Sequence, residues 1–397
     1  MGKPLTPHAT LYRYQVLPPM QMPRRQPQPS AALLAAAGSD ARAAVAASSR
    51  MRCGGCGAKV GATVLSRVLR KLGVADATGD DAAVVELPAG TGSSPSSVVA
   101  SVDFFRSFLD DPFTLGAIAA THAMGDAWAM GTQPCAALAI CQVPHAPAAQ
   151  TEREVTALLG GAMQALSAAS CRLVGGHTCE GAELACGFTV LAPAPAHGAH
   201  LLRKAGLRPG DLLVITKPIG TGVLMAAAAE ALASGRDVAR ALSSMRQAQG
   251  AAAAVLVECG AAGATDITGF GLLGHTAEMA VASGVRVTLN LAALPLLPGA
   301  AELAAAGVAS SLAPANLEAA LGALGKHQGP GVAGHRAYPL LFDPQTAGGL
   351  LAGLAPQRVE EALRRLRDAG FDSASVVGEV AASDAAAAGS IELRIGA

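Results

Sequence analysis

The chain predicts an α/β (α+β) enzyme of two domains, and three observations carry that expectation. Apolar runs of strand length alternate with helical patterns through both halves. Aromatic residues make up only 3% of the chain while glycine reaches 46 residues, so the core must be built from Val, Leu, Ile and Ala between many glycine turns. A polar, proline-bearing stretch over 192–206 interrupts the pattern and reads as an interdomain linker.

Taken in order, apolar Val64, Leu65, Val68, Leu69 and Leu72 fall at helical spacing. Thr78-Gly79-Asp80-Asp81 is a turn feeding an apolar strand, and 97–102 is a second strand ending at Asp103. The pattern predicts a helix over 112–130, which would bring Ala119, His122, Ala123 and Asp126 together at three- and four-residue spacing. A buried strand follows over 135–143, then a helix over 152–170. A short strand at 172–174 is expected to run into a Gly175-Gly176-His177-Thr178 loop, and a strand over 188–191 closes the first half. In the second half, 211–216 is a strand, Gly220-Thr221-Gly222 opens an alanine-rich helix, and 264–271 is a loop entering another helix. There is no short-period repeat.

Length, charge and cysteine usage narrow the class. The 397 residues allow two or three domains, and the 29 basic and 29 acidic residues give no electrostatic case for nucleic acid or a membrane surface. Small molecules are the expected partners. The uncharged run 127–151 is broken by Gly131, Pro134, Pro144, His145 and Pro147, so it reads as a buried strand with turns and not as a membrane span. The eight cysteines are scattered, several in apolar contexts, as buried free thiols in a reducing compartment would be. Residues 1–50 carry Lys3, Arg13, Arg24, Arg25, Arg42 and Arg50 against a single acid, Asp40, and are expected to be disordered. Such a leader fits an organelle transit peptide, the remnant of an upstream domain, or an overextended gene start. The expected location is cytoplasmic, or organellar (plastid or mitochondrion) if the leader is a transit peptide.

Chemistry concentrates in a few places. Residues 51–60 set Cys56 and Lys59 on a glycine-rich arm: a thiol beside a cation ionises more easily, and an ammonium meets phosphate as a point charge. Cys53 and Cys56 could instead be half a zinc site or a redox pair. No second ligand pair lies at matching spacing, however, and no strand precedes them. Asp81, Asp103, Asp126 and Asp266 each sit close to an apolar run, where a carboxylate needs a cation or donors. Singly each reads as a cap or turn residue. Together they form an oxygen-only set of the kind that suits Mg²⁺ bridging to phosphates. Gly175-Gly176-His177-Thr178 could cradle a phosphate or ribose, whereas the Gly-x-x-x-x-Gly-Lys-Ser/Thr loop is absent and no Gly-x-Gly-x-x-Gly sits in a dinucleotide-binding context.

In order along the chain, Cys56-Gly57-Ala58-Lys59, Gly79-Asp80-Asp81-Ala82-Ala83-Val84, Asp103-Phe104-Phe105, Ala119-Ala120-Thr121-His122-Ala123 with Asp126, Gly175-Gly176-His177-Thr178, Thr265-Asp266 through Gly274-His275, and Asp343-Pro344-Gln345-Thr346-Ala347-Gly348-Gly349-Leu350 together resemble the selenophosphate synthetase (selenide, water dikinase) family. The resemblance runs from about residue 51 to the C-terminus. It implies an aminoimidazole-ribotide-synthetase-like fold in which the N-terminal sheets of a homodimer join into a barrel. Its domains would be 51–195, binding ATP with a mobile arm over 51–61, and 206–397. It implies conversion of ATP, selenide and water to selenophosphate, AMP and phosphate, the selenium coming from a delivery protein in some settings.

By the same resemblance, Cys56 is the catalytic thiol and Lys59 the essential cation contacting ATP. Asp81, Asp126 and Asp266 hold Mg²⁺, while Thr78, Gly79, Asp80, Asp103, Asp126, Gly176, His177 and Thr178 contact the nucleotide. The Gly176–Thr178 segment would act from the neighbouring subunit. Three departures stand out. Ala58 occupies a position where many relatives carry a second cysteine; His122 stands where Asn is expected; and Ser310 to Asn316 only loosely matches the family's polar loop. Cys53 is an extra thiol, for which a reversible disulfide with Cys56 is one expectation. A purine-type or thiamine-phosphate-type synthetase or kinase of the same fold is the alternative reading, and a non-catalytic metal-binding scaffold is a third.

Overall fold

A computed structural model describes residues 53–59, 68, 71, 79–87, 96–194, 201–324, 328–384 and 387–396. Thr78 and the leader lie outside these. Of the helix expected over 64–72, residues 68 and 71 are described, and both are helical. Element labels below number the described strands and helices. Arg52 to Ala397 form one compact unit.

The first half is a five-stranded sheet in the order β1 (Ala83–Leu87), β2 (Ser96–Arg106), β5 (Ala185–Pro193), β3 (Ala136–Pro144), β4 (Arg172–Gly181). All neighbours are antiparallel except β3 and β4. Alternation along the strands assigns two unlike faces. Val99 and Phe105 point into the core with Phe188 and Val190, under helices α1 (Pro112–Ala123) and α3 (Ala148–Ala168). Val102, 60% exposed, lies on the opposite face with Phe104 and Leu138. Asp103 has the parity of Val99 and Phe105, which explains a carboxylate set in an apolar strand: it faces inward.

The single helix expected over 112–130 is two. α1 starts on Asp111, whose carboxylate accepts from the Phe113 and Thr114 N–H groups, with Pro112 at the first turn. It ends at Met124, and the short α2 (Gly125–Ala129) restarts in a new direction, bringing Asp126 toward the second half. The expected Gly175–Thr178 loop is instead strand, because β4 continues its parallel ladder along β3, pairing Gly176 with Ala139, His177 with Ile140 and Thr178 with Cys141.

The second half is a six-stranded sheet in the order β11 (Ile391–Arg394), β8 (Arg286–Asn290), β10 (Ser375–Ala381), β6 (Leu212–Ile215), β9 (Leu350–Leu354), β7 (Gly263–Asp266). Its inner strands are buried on both faces. Val214, Leu350 and Ala352 pack into the same cluster as Phe188 and Val190 of the first sheet, while Leu213, Ile215 and Leu351 pack under helices α4 (Thr221–Ala229), α5 (Gly235–Arg246) and α7 (Gly271–Ser283). Thr265-Asp266, expected in a loop, forms the end of edge strand β7, directly before α7. Among the described residues no helix is long and apolar enough to cross a membrane.

Candidate active site

The arm lies docked across both halves as a short 3-10 turn over Gly55–Ala58. Its glycines are required by contact. A Cβ on Gly54 would strike the backbone of Ser107, and one on Gly57 would lie 2.8 Å from Ser310 Oγ. Gly55 has φ +58°, a conformation open to glycine, and packs against Thr346. Polar contacts complete the dock: Cys56 N–H donates to Thr346 Oγ1 at 3.2 Å, and Arg106 donates to Cys53 O at 3.1 Å. Cys53 N–H donates to Ser311 Oγ at 3.1 Å while Ser311 N–H points back at Cys53 Sγ at 3.3 Å. Cys56 is wholly enclosed.

Docking assembles a four-membered cluster. Cys56 Sγ lies 3.3 Å from His122 Nε2, which is 3.6 Å from Asp103 Oδ2; Lys59 Nζ reaches Asp103 Oδ1 at 3.4 Å. The imidazole is buried edge-on to Phe105, and its Nδ1 receives the Ala347 N–H at 3.1 Å. Burial alone would discharge Lys59, but Cys56, Asp103, Asp126 and Asp266 outweigh it and hold the ammonium well above its ordinary value. Burial likewise opposes an ionised Asp103, yet His122 and Lys59 keep its carboxyl well below the usual range.

Beside this cluster stands an acid-rich one. Asp81 accepts from Thr265 Oγ1 at 2.9 Å and pairs with Lys204 Nζ at 3.1 Å; burial still pushes its carboxyl up to about 7. Asp80 is held by Arg203 Nη1 at 2.6 Å and by Lys204 N–H at 3.2 Å. Lys204 also reaches Glu278 Oε2 at 2.9 Å, a carboxylate shared with His275 Nδ1 at 3.1 Å. Asp126 is raised well above the carboxylate range by burial and by the charges of Asp103, Asp266 and Asp81. Asp266 is raised chiefly by burial, with His122 and His275 pulling the other way. Its Oδ2 sits so close to Gly125 that a Cβ there would be 2.7 Å away.

Asp81, Asp126 and Asp266, whose charges are opposed by burial and by neighbouring carboxylates, are an all-oxygen donor set that a hard divalent cation would relieve. Among the described residues no three ligating side chains converge tightly enough to hold a metal unaided. A Mg²⁺ that keeps waters and takes its remaining ligands from phosphate does not need them to. A cavity of about 490 Å³ opens here, lined in part by Gly79, Lys204, Phe270, Glu278 and Asn316. A larger one, about 920 Å³, lies around Arg240, Gln247 and Asp372 and holds none of the residues singled out from the sequence.

Thus Cys56, Lys59, Asp103 and His122 meet directly, with Asp126 and Asp266 close enough to shift the charge on Lys59 and Asp81 coupled to Asp266. Gly176, His177 and Thr178 do not join them: they lie on edge strand β4, whose side chains are largely exposed. Residues without a sequence role complete the site. Asp343 Oδ2 and Gln345 Oε1 accept the first N–H groups of α4, from Gly222 at 3.0 Å and from Gly220 and Thr221 at 2.9 and 3.0 Å. This fixes the loop that carries Thr346 and Ala347. Buried Lys217 donates to the Ala347 carbonyl at 3.2 Å, as well as to Ser244 O and Gln247 O. Asn316 clamps Gly269 O and Phe342 O at 2.8 and 2.9 Å, a structural use of the residue. The Asp343–Leu350 motif was the one sequence signal for this support.

The chain matches family models for AIR synthase related protein, the N-terminal domain over 79–193 and the C-terminal domain over 208–389. Curated relatives named "Selenide, water dikinase" include those of Burkholderia pseudomallei, 36% identical over 82% of this chain and 92% of the relative, and Nitratidesulfovibrio vulgaris, 40% identical over 76% and 83%. Among solved structures, thiamine monophosphate kinase from Aquifex aeolicus shares the fold at a TM-score of 0.59 and 16% identity, covering 83% of this chain and 96% of that one. Hydrogenase maturation protein HypE in complex with ATP does so at 0.58 and 17%, covering 80% and 85%. The arm with its thiol and ammonium, the two AIR-synthase-related halves and identities of 36% and 40% agree, and the chain belongs to the selenide, water dikinase family.

Proposed function

We propose that this protein makes selenophosphate from ATP, selenide and water, releasing AMP and phosphate. The observation that carries the reading is the meeting of Cys56 and Lys59, from one docked arm, with His122 and Asp103, beside a set of inward-facing carboxyls, Asp81, Asp126 and Asp266. A thiol and an ammonium so placed present a soft atom to selenium and a fixed charge to phosphate. Cleaving a polyphosphate twice concentrates negative charge, and the catalytic work is positioning and neutralisation. Lys59, held charged by its surroundings, exchanges Asp103 for a phosphate oxygen as nucleotide enters. Asp81, Asp126 and Asp266 are the residues that would hold Mg²⁺, which when bound polarises phosphoryl oxygens. Asp103, Asp80, Gly79 and Thr78 are the proposed nucleotide contacts. The docked arm excludes water while the thiol faces the site.

We assign the ATP-binding role to 51–195 and the supporting role to 206–397. The bare sheet face, with Val85, Val102, Phe104, Leu138 and Val174 exposed, supports a homodimer in which a second copy covers it. His177, in register with Ile140 on that face, would then lie toward the partner, along with its neighbours Gly176 and Thr178. Selenide reaches the arm free or from a delivery protein. The decisive experiment is ³¹P NMR of products: Cys56→Ser, still folded, should lose selenide-dependent AMP formation by about 100-fold or more, as loss of a reacting group does. Retained activity, or ADP as the end product of the wild-type protein, would sink the reading.

A further inference from the structure

We infer that His122 serves Cys56 as a fixed hydrogen-bond donor and not as a base. The orientation is set from the far half of the chain. Ala347 N–H points at His122 Nδ1 at 3.1 Å, across 225 residues of sequence. That amide cannot swing away. Ala347 sits at φ +48°, its carbonyl is held by Lys217 Nζ at 3.2 Å, and the preceding Thr346 N–H is held by Thr221 Oγ1 at 3.0 Å. Against the effect of burial, Cys56 and Asp103 pull the imidazole well above its ordinary range, but a second proton on Nδ1 would face the Ala347 N–H; the Nδ1 lone pair is spent on that backbone donor, and the proton aimed at the cluster belongs on Nε2.

Nε2 faces two groups. Cys56 Sγ at 3.3 Å is within hydrogen-bond reach of a ring N–H, whereas Asp103 Oδ2 at 3.6 Å is beyond it. The proton is thus directed at sulfur. A base would need the opposite tautomer, which sets Nδ1–H against Ala347 N–H, two donors facing each other at 3.1 Å. His122 is a positioning residue: it holds the sulfur in place, with Lys59 and Asp103 beside it. A side chain offering an N–H at that point would serve, and glutamine, whose Nε2 reaches as far as the imidazole's, is one; leucine would not.

The inference rests on Cys56 being the reacting thiol, and the tests separate the two. In H122L, kcat should fall about tenfold or more, the usual worth of a hydrogen bond to a charged group, with the KM for ATP nearly unchanged. H122Q should recover most of that loss. If H122Q is as slow as H122L while Cys56→Ser is inactive, the donor role is overturned and the thiol reading stands. If Cys56→Ser keeps its activity, the thiol reading falls and the catalytic use of the bond with it. A measurement independent of any variant's folding is the long-range ¹H–¹⁵N spectrum of wild-type protein labelled at histidine. It should show His122 protonated at Nε2 and bare at Nδ1 near neutral pH, and the reverse tautomer would overturn the inference.

Discussion

Two lysines are drawn into the interior and end on opposite sides of the same imidazole, yet their surroundings differ. Lys59 touches Asp103, which lies beside His122 Nε2; Lys217 touches Ala347, whose amide binds Nδ1. Around Lys59 the neighbours are carboxylates and a thiol, and the ammonium is held charged. Around Lys217 they are three neutral carbonyls, and burial brings its value down to about 7. Carbonyls satisfy donors without offsetting a charge. Lys59 is a charge kept ready for an anion; Lys217 is a clip joining the end of α5 to the Ala347 loop.

The contrast is open to direct attack. Lys59→Met should cost about 10²–10³-fold in kcat, the scale of removing a charge aimed at a transition state, and leave thermal stability nearly intact. A variant that kept its rate would erase the distinction. Lys217→Met should act the other way, on folding. It strips the buried carbonyls of their donor, two of them served by the neutral amine at pH 9, a loss of about 2–4 kcal/mol by urea denaturation at that pH. The pH dependence has a definite sign. The folded value, about 7, lies below the ordinary lysine value of 10.5, so the unfolded chain binds more protons between them and wild-type stability climbs as pH rises across that window. In the variant this climb should vanish; parallel pH curves would refute the assignment. The mildest change is Thr346→Val, which removes the acceptor for Cys56 N–H. Weakening the dock by about 1 kcal/mol should speed maleimide labelling of Cys56 about fivefold, and an unchanged rate would mean that this bond does not hold the arm.

Much of this was legible in the sequence, for identifiable reasons. Asp81, Asp103, Asp126 and Asp266 break apolar patterns, and each breach marks an inward-facing carboxylate near the site. Strand positions followed from apolar runs. What was hidden depended on contacts across the fold. The arm's glycines read as slack, whereas Gly54 and Gly57 are dictated by the surface they dock on. Gly175-Gly176 read as a turn because nothing local reveals a parallel ladder with β3. His122 read only as a departure, standing where Asn is expected, since its sulfur partner lies 66 residues away and its amide partner is an alanine at positive φ, a conformation no local rule assigns to alanine.

The complete enclosure of Cys56 also sets a tempo. A sulfur with no accessible surface meets neither a soluble selenium donor nor an oxidant while the arm is down, so the proposed function requires that shelter and access alternate in time. Ser311, Thr346 and Arg106, which hold the arm, determine how long each sheltered interval lasts. Tighter contacts would lengthen the thiol's shelter from oxidants and lower the ceiling on turnover. The dock is a timer whose setting trades durability against speed.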